Sequence, residues 1–155
     1  MKTQTRLVAV AAVALAACFG HSGAMLTQQE IDANGTHTFN APAEKVMKAA
    51  ADALKSDGYE IAVVNPEKGL IKTGRKGLGT QVSGGQYSAS AVTYSRQMSL
   101  TIKPAGDGNG TTVTARPRVY ANDNDLSEGA VWALEGPQGE RAIWSRLFRE
   151  IEEGL

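Results

Sequence analysis

From Ala91 to Lys103 apolar and polar residues alternate. Val92, Tyr94, Met98, Leu100 and Ile102 share one face, with Arg96 interrupting it, and Thr93, Ser95, Gln97, Ser99 and Thr101 share the other. A period of two over that length predicts a long strand with one buried face. Pro104 to Gly110 is a turn by composition, and Thr111 to Tyr120 returns as its partner strand. Val113, Ala115 and Val119 then point one way, and Thr112, Thr114, Arg116 and Arg118 the other. Pro117 has no N–H to give a ladder, so it marks an edge strand or a bulge.

The rest of the chain supplies companions for this hairpin. Thr36 to Phe39 is a short strand by its β-branched and aromatic content. Asn40-Ala41-Pro42 starts a helix, because Asn caps well and Pro is tolerated in the first turn. The helix is predicted to run to Ser56, with Val46, Ala49, Ala50, Ala53 and Leu54 on one face and Gly58 at its left-handed end. Tyr59 to Val64 and Leu70 to Thr73 form strands about the turn Asn65–Gly69. Residues 74–90 are rich in Gly and Ser and predict a mobile loop or a ragged hairpin, and Asn122 to Gly136 has no clear period. The last helix runs from about Pro137 to Glu153, with Ile143, Leu147 and Ile151 in register beside Trp144 and Phe148. The order β-α-β-β-β-β-α predicts an α+β fold, an antiparallel sheet with helices on one face.

The N-terminus has another pattern. Lys2 and Arg6 precede an unbroken apolar run from Leu7 to Ala17. That run is shorter than the roughly 20 residues a spanning helix needs, and it reads as a secretory signal. It stops at Cys18, the only cysteine, and Leu15-Ala16-Ala17-Cys18 resembles the lipobox of bacterial lipoproteins. The resemblance implies cleavage before Cys18 and acylation of its thiol and new amine. Stable anchoring takes two membrane signals, which several acyl chains supply. Phe19 rather than Asp after the cysteine implies outer-membrane sorting, with the domain on the periplasmic face. An ordinary signal cut at Ser22-Gly23-Ala24, before Met25, is the alternative. The chain is therefore expected to divide into a signal (residues 1–17), a lipidated Cys18 with a flexible tether (18–34) and one α+β domain (35–155). The tether's r.m.s. reach would be roughly 20–24 Å.

Charge narrows the partners. Without Lys2 and Arg6 the chain keeps 14 of its 16 basic residues against 16 acidic ones, a net of −2. Nucleic-acid binders carry a basic excess, so no nucleic-acid partner is expected. With Cys18 lipidated no thiol is left for a disulfide or a cysteine metal site, and a hydrophobic core must hold the domain.

Several stretches together look familiar. Phe39-Asn40-Ala41-Pro42 leads into the helix with Val46, then comes Gly58-Tyr59-Glu60-Ile61, then Asn65-Pro66-Glu67-Lys68-Gly69-Leu70-Ile71-Lys72-Thr73. The chain finishes with Trp144-Ser145-Arg146-Leu147-Phe148-Arg149-Glu150-Ile151. Over residues 36–154 this is similar to one repeat of the BamC-like outer-membrane lipoproteins, which have a helix-grip fold. The resemblance implies a role linked to outer-membrane assembly, although the second domain and long N-terminal segment of BamC have no counterpart here. Helix-grip domains also include binders of lipids and other hydrophobic ligands. That alternative predicts a groove between the C-terminal helix and the sheet, with Trp144 and Phe148 facing Leu100 and Ile102. A solid core at those four residues counts against it.

Catalytic chemistry finds little footing. His37 sits in a polar alternating strand, His21 falls in the tether, and there is no G-x-S-x-G elbow. Gly69 to Lys76 begins like a phosphate loop but lacks the Gly-Lys-Ser/Thr ending; Lys72, Arg75 and Lys76 could still meet lipid phosphates or an acidic partner, or be a solvated basic loop. Asp123-Asn124-Asp125-Leu126-Ser127-Glu128-Gly129 has oxygen ligands at alternate positions, as Ca²⁺ prefers. Glu128 and Leu134, however, stand where a calcium loop wants Gly and Glu. Trp132, Trp144 and Phe148 read as core rather than pocket lining. The expectation is a non-enzymatic envelope lipoprotein without cofactor or metal, working through a protein partner.

Overall fold

The computed structural model describes residues 24–85, 88–106, 108–126, 131–133 and 140–155. The chain runs β1 (Ala24–Leu26), α1 (Gln28–Asn34), β2 (Thr36–Phe39), α2 (Ala43–Ser56), β3 (Ile61–Asn65) and β4 (Leu70–Thr73). It continues with β5 (Lys76–Gly85), β6 (Ser88–Pro104), β7 (Thr111–Ala121), β8 (Asn124–Asp125), β9 (Val131–Ala133) and α3 (Glu140–Glu153). The fold is α+β, as the alternation predicts. The main sheet is antiparallel, in the order β2-β7-β6-β4-β3, with β5 also on β6 and β8 on β7.

The register follows the side-chain pattern. β6 and β7 pair from Tyr94↔Ala121 to Pro104↔Thr111, which sets Leu100 opposite Ala115 and Ile102 opposite Val113. On the other side Ile71 of β4 faces Leu100. Against this face α2 buries Val46, Met47, Ala49, Ala50, Ala53 and Leu54, and α3 buries Ile143, Trp144, Leu147, Phe148 and Ile151. Alanines on α2 bring that helix close to its neighbours. Its end is sealed by a left-handed turn. Gly58 adopts φ 80°, its N–H bonds to Lys55 O at 2.9 Å, and Tyr59 N–H bonds to Leu54 O at 2.9 Å.

Three expectations need correction. Residues 18–34 are not all tether. Thr27 caps α1 and accepts from Glu30 N–H, while Glu30 answers to Thr27 N–H, a reciprocal box that closes the first turn. Ile31 then enters the core, 5% exposed, and Asp32 pairs with Arg116 at 2.8 Å. Second, α2 starts at Ala43 with Pro42, not Asn40, at the cap position, and no side chain caps it. Third, β8 pairs with β7, and β9 pairs with β1 in a separate two-stranded sheet, elements that the order β-α-β-β-β-β-α lacks. Of the two expectations for residues 74–90 the ragged hairpin holds: β5 pairs with β6 from Lys76↔Arg96 to Gly85↔Ser88, with a register shift between Gly77 and Gly79.

Pro117 lies where its missing N–H costs nothing. Ala115 N–H points towards β2 and meets Gly35 O at 2.7 Å. Two residues on, Pro117 faces the same side, past the end of β2.

Candidate functional site: an open sheet face and its ribbon

The four residues expected to line a groove are brought together, but as core. Trp144 is 1% exposed, Phe148 8%, Leu100 0% and Ile102 4%, all within one contiguous apolar cluster. Trp144 also spends its polar atom inward: Nε1 donates to Ala115 O at 3.0 Å. Two surface hollows lie elsewhere. One runs between α2 and the end of α3, and the other sits beside Pro42 at the β6–β7 turn. The grip of helix on sheet is thus filled by protein side chains, which corrects the groove reading. Cys18 lies outside the described residues, as does the side chain of Trp132.

The remaining candidates are occupied by structure. His37 is exposed on β2, with its ring 4.7 Å from Phe39 and 5.4 Å from Phe148. Asp123 meets Arg75 at 3.3 Å and Asp125 meets Arg118 at 3.5 Å, so these carboxylates neutralise arginines on the sheet. Ser127 to Gly129 lie outside the described residues, and among the described residues no cluster of His, Cys, Asp or Glu could hold a metal ion. The basic residues near β5 separate. Arg75 lies 3.7 Å over the Tyr120 ring, Lys76 donates to Asp57 O and sits 5.0 Å over Tyr59, and only Lys72 faces outward from the sheet.

A buried polar clasp went unseen in the sequence. Asp57 caps the C-terminus of α2 and accepts from Arg146 of α3 at 3.0 Å. That carboxylate holds the Arg146 pKa above its ordinary value. Beside it Tyr59, 4% exposed, has its hydroxyl pKa pushed up by burial, against the pull of Arg96. Arg96 interrupts the apolar face of β6, as the alternation indicated, and does so from inside, 1% exposed. The raised pKa keeps the Tyr59 hydroxyl protonated near neutral pH. The clasp ties α2, α3 and the sheet together. The one signal for it was Arg96 in an apolar register.

Among the described residues, the far face of the sheet is left open. The polar half of each alternation lies there: Thr36 and Thr38 on β2, Thr112 and Thr114 on β7, Ser99 and Thr101 on β6, all exposed or half-buried. Thr38 and Thr112 share a hydrogen bond at 2.9 Å across strands, Thr36 and Thr114 one at 3.4 Å. Lys72, Arg116 and Arg118 lie on the same face, with Arg116 balanced by Asp32 and Arg118 by Asp125.

The face extends into a two-stranded ribbon. β7 pairs with β6 only from Tyr94 onward, while β5 follows β6 out to Ser88. Hydroxyls bridge the ribbon, Thr80 to Thr93 at 2.9 Å and Ser83 to Ser90 at 3.0 Å. From Gly77 to Ser95 it carries no charged residue, and Val82 stands 67% exposed. No family model matches the chain, and no curated protein matches it.

Proposed function

We propose that this protein is an outer-membrane lipoprotein, anchored through Cys18, that serves as a non-catalytic accessory module and binds another envelope protein. The BamC-like pattern makes outer-membrane assembly the setting for that partnership. The observation that carries the reading is the filled grip: Trp144, Phe148, Leu100 and Ile102 are core, so the binding surface is the flat hydroxyl-rich sheet face with its ribbon. Flat faces with few charges suit macromolecules, whereas small ligands favour concave, mostly apolar pockets. The lipobox supplies the location. Close confinement at a membrane raises the effective concentration of a weak partner.

The test is intact mass and membrane fractionation of the expressed full chain and of Cys18→Ser, followed by cross-linking in envelope membranes. The expected result is a mature chain starting at Cys18 with acyl mass, lost from the membrane in the variant, and a recurring cross-linked envelope protein. An unmodified chain starting at Met25, soluble in both forms, would overturn the anchor. Repeated cross-linking with no partner would overturn the module.

A further inference from the structure

Ala24-Met25-Leu26 and Val131-Trp132-Ala133 form a small antiparallel sheet of their own, apart from the main one. Its register sets Met25 opposite Trp132, Leu26 opposite Val131 and Ala24 opposite Ala133. Residues opposite one another share a face, and faces alternate along a strand. Met25 and Trp132 therefore belong to one face, and Leu26, Val131 and the two alanines to the other. All six residues are apolar, so each face is apolar. β9 lies beside β7 and α3, and only one face can turn towards them. The other is apolar whichever it is. Two strands alone are marginal in water unless they pack on something.

We propose that this small sheet is a second membrane contact, seated in the interfacial layer of the bilayer that holds the lipid on Cys18. The inference rests on that anchor and adds to it. Chain length selects the occupant. Ala24 is six positions beyond Cys18, and six residues span at most ~22 Å whatever their path. A domain of ~130 residues has a radius of gyration of ~14 Å and is roughly 35 Å across. The surface around β1 is thus held at the membrane, and the opposite surface cannot reach it. A soluble partner is not held this close, whereas the lipid surface always is. Tryptophan also favours the headgroup level, where its ring is in an apolar layer and its N–H meets water.

Charge neither draws nor repels this contact. The acidic side chains that follow β1 are neutralised within the domain, Glu30 by Arg141 and Asp32 by Arg116. The contact is therefore apolar, and salt does not weaken it.

The experiment reads tryptophan emission, since Trp132 and Trp144 are the only two in the chain and Trp144 is buried in the core. The lipoprotein is purified from membranes and placed in vesicles of phosphatidylethanolamine and phosphatidylglycerol, with or without bromine on the upper acyl carbons. In parallel the chain from Cys18 onward is joined through that thiol to a maleimide-bearing phospholipid in the same vesicles. Intact mass reports the natural anchor, and the maleimide arm reads the contact even where that anchor fails. Brominated vesicles should remove up to roughly half of the emission, the share of one tryptophan in two. Trp132→Phe should lose almost none, with the emission of Trp144 confirming its fold. Equal quenching of wild type and Trp132→Phe, or none in the maleimide arm, would overturn the contact. So would quenching that disappears at about 0.5 M salt, the mark of an electrostatic contact. A Trp132 already shielded from aqueous iodide before coupling would overturn it too, since the domain itself would then cover the ring.

Discussion

Leu100→Ala separates a filled core from a ligand groove. Leu100 is fully buried, with Ala115 opposite it on one side, Ile71 on the other, and helices above. Truncation removes three carbons, about 2.4 kcal/mol of transfer free energy at ~0.8 kcal/mol each. The neighbours are backbone-fixed strands and a large indole, which collapse poorly into the space, so a cavity term of ~1–2 kcal/mol adds to it. The expected loss is about 3–4 kcal/mol, a large share of a domain stability of ~5–15 kcal/mol. For a domain of this size it corresponds to a fall in Tm of roughly 10–20 °C. Urea unfolding followed by far-UV circular dichroism gives the loss directly, with the slope against denaturant checked for constancy. In a groove the leucine would already face solvent in the empty protein. A loss below about 1 kcal/mol at unchanged slope would therefore refute the packing argument.

Three further outcomes follow from named contacts. Asp57→Ala and Arg146→Ala, combined in a double-mutant cycle by urea unfolding, should show a coupling of about 1 kcal/mol or more that survives high salt, because both side chains are largely buried. A coupling near zero would mean the clasp is incidental. Gly69→Ala should cost about 2 kcal/mol or more in the same assay, since Gly69 adopts φ 59° and an added Cβ would lie 2.0 Å from Ile102 O. Glu30 gives a pH signature. Hydrogen bonds from Thr27, with Arg141 adding to them, hold its pKa below the usual 4.5. A carboxyl lowered in this way stabilises the fold above its unfolded pKa, and that contribution is lost as pH falls through the folded one. Amide exchange in α1 should therefore speed up on acidification below about pH 4 beyond the intrinsic pH dependence, and Glu30→Gln should abolish the transition. A transition that persists in Glu30→Gln would contradict the role of the Glu30 carboxylate.

The parts of the fold that periodicity could reveal are those with many apolar residues on one face. Met98, Leu100 and Ile102, or Val46, Ala50 and Leu54, announce their elements because burial selects their side chains. α1 buries Ile31 and has no apolar period, although Thr27 and Glu30 already spelled its capping box. β5 is legible only as one of two alternatives, loop or ragged hairpin, because it is held by backbone pairing to β6 and by hydroxyl pairs, which leave no hydrophobic alternation. The sequence reads Trp144 and Phe148 as core and keeps a groove facing Leu100 and Ile102 as the alternative, because groove and core use the same residue types. Only three-dimensional filling distinguishes them. The clasp was legible only through Arg96, because Arg146 lies 89 positions from Asp57 and looks like an ordinary surface residue.

The sheet order also dictates when the molecule can fold. β2 comes early, yet its partner β7 is made much later, and the Thr38–Thr112 bond spans 74 positions. Glu30 waits longer still, for Arg141, 111 positions on. α2 and residues 140–153 together close the core around Ile71, Met98 and Leu100, so a nascent chain lacking α3 leaves that core incomplete. Closure is therefore a single late event, slow because distant segments must meet first. Until then the chain is exposed to aggregation.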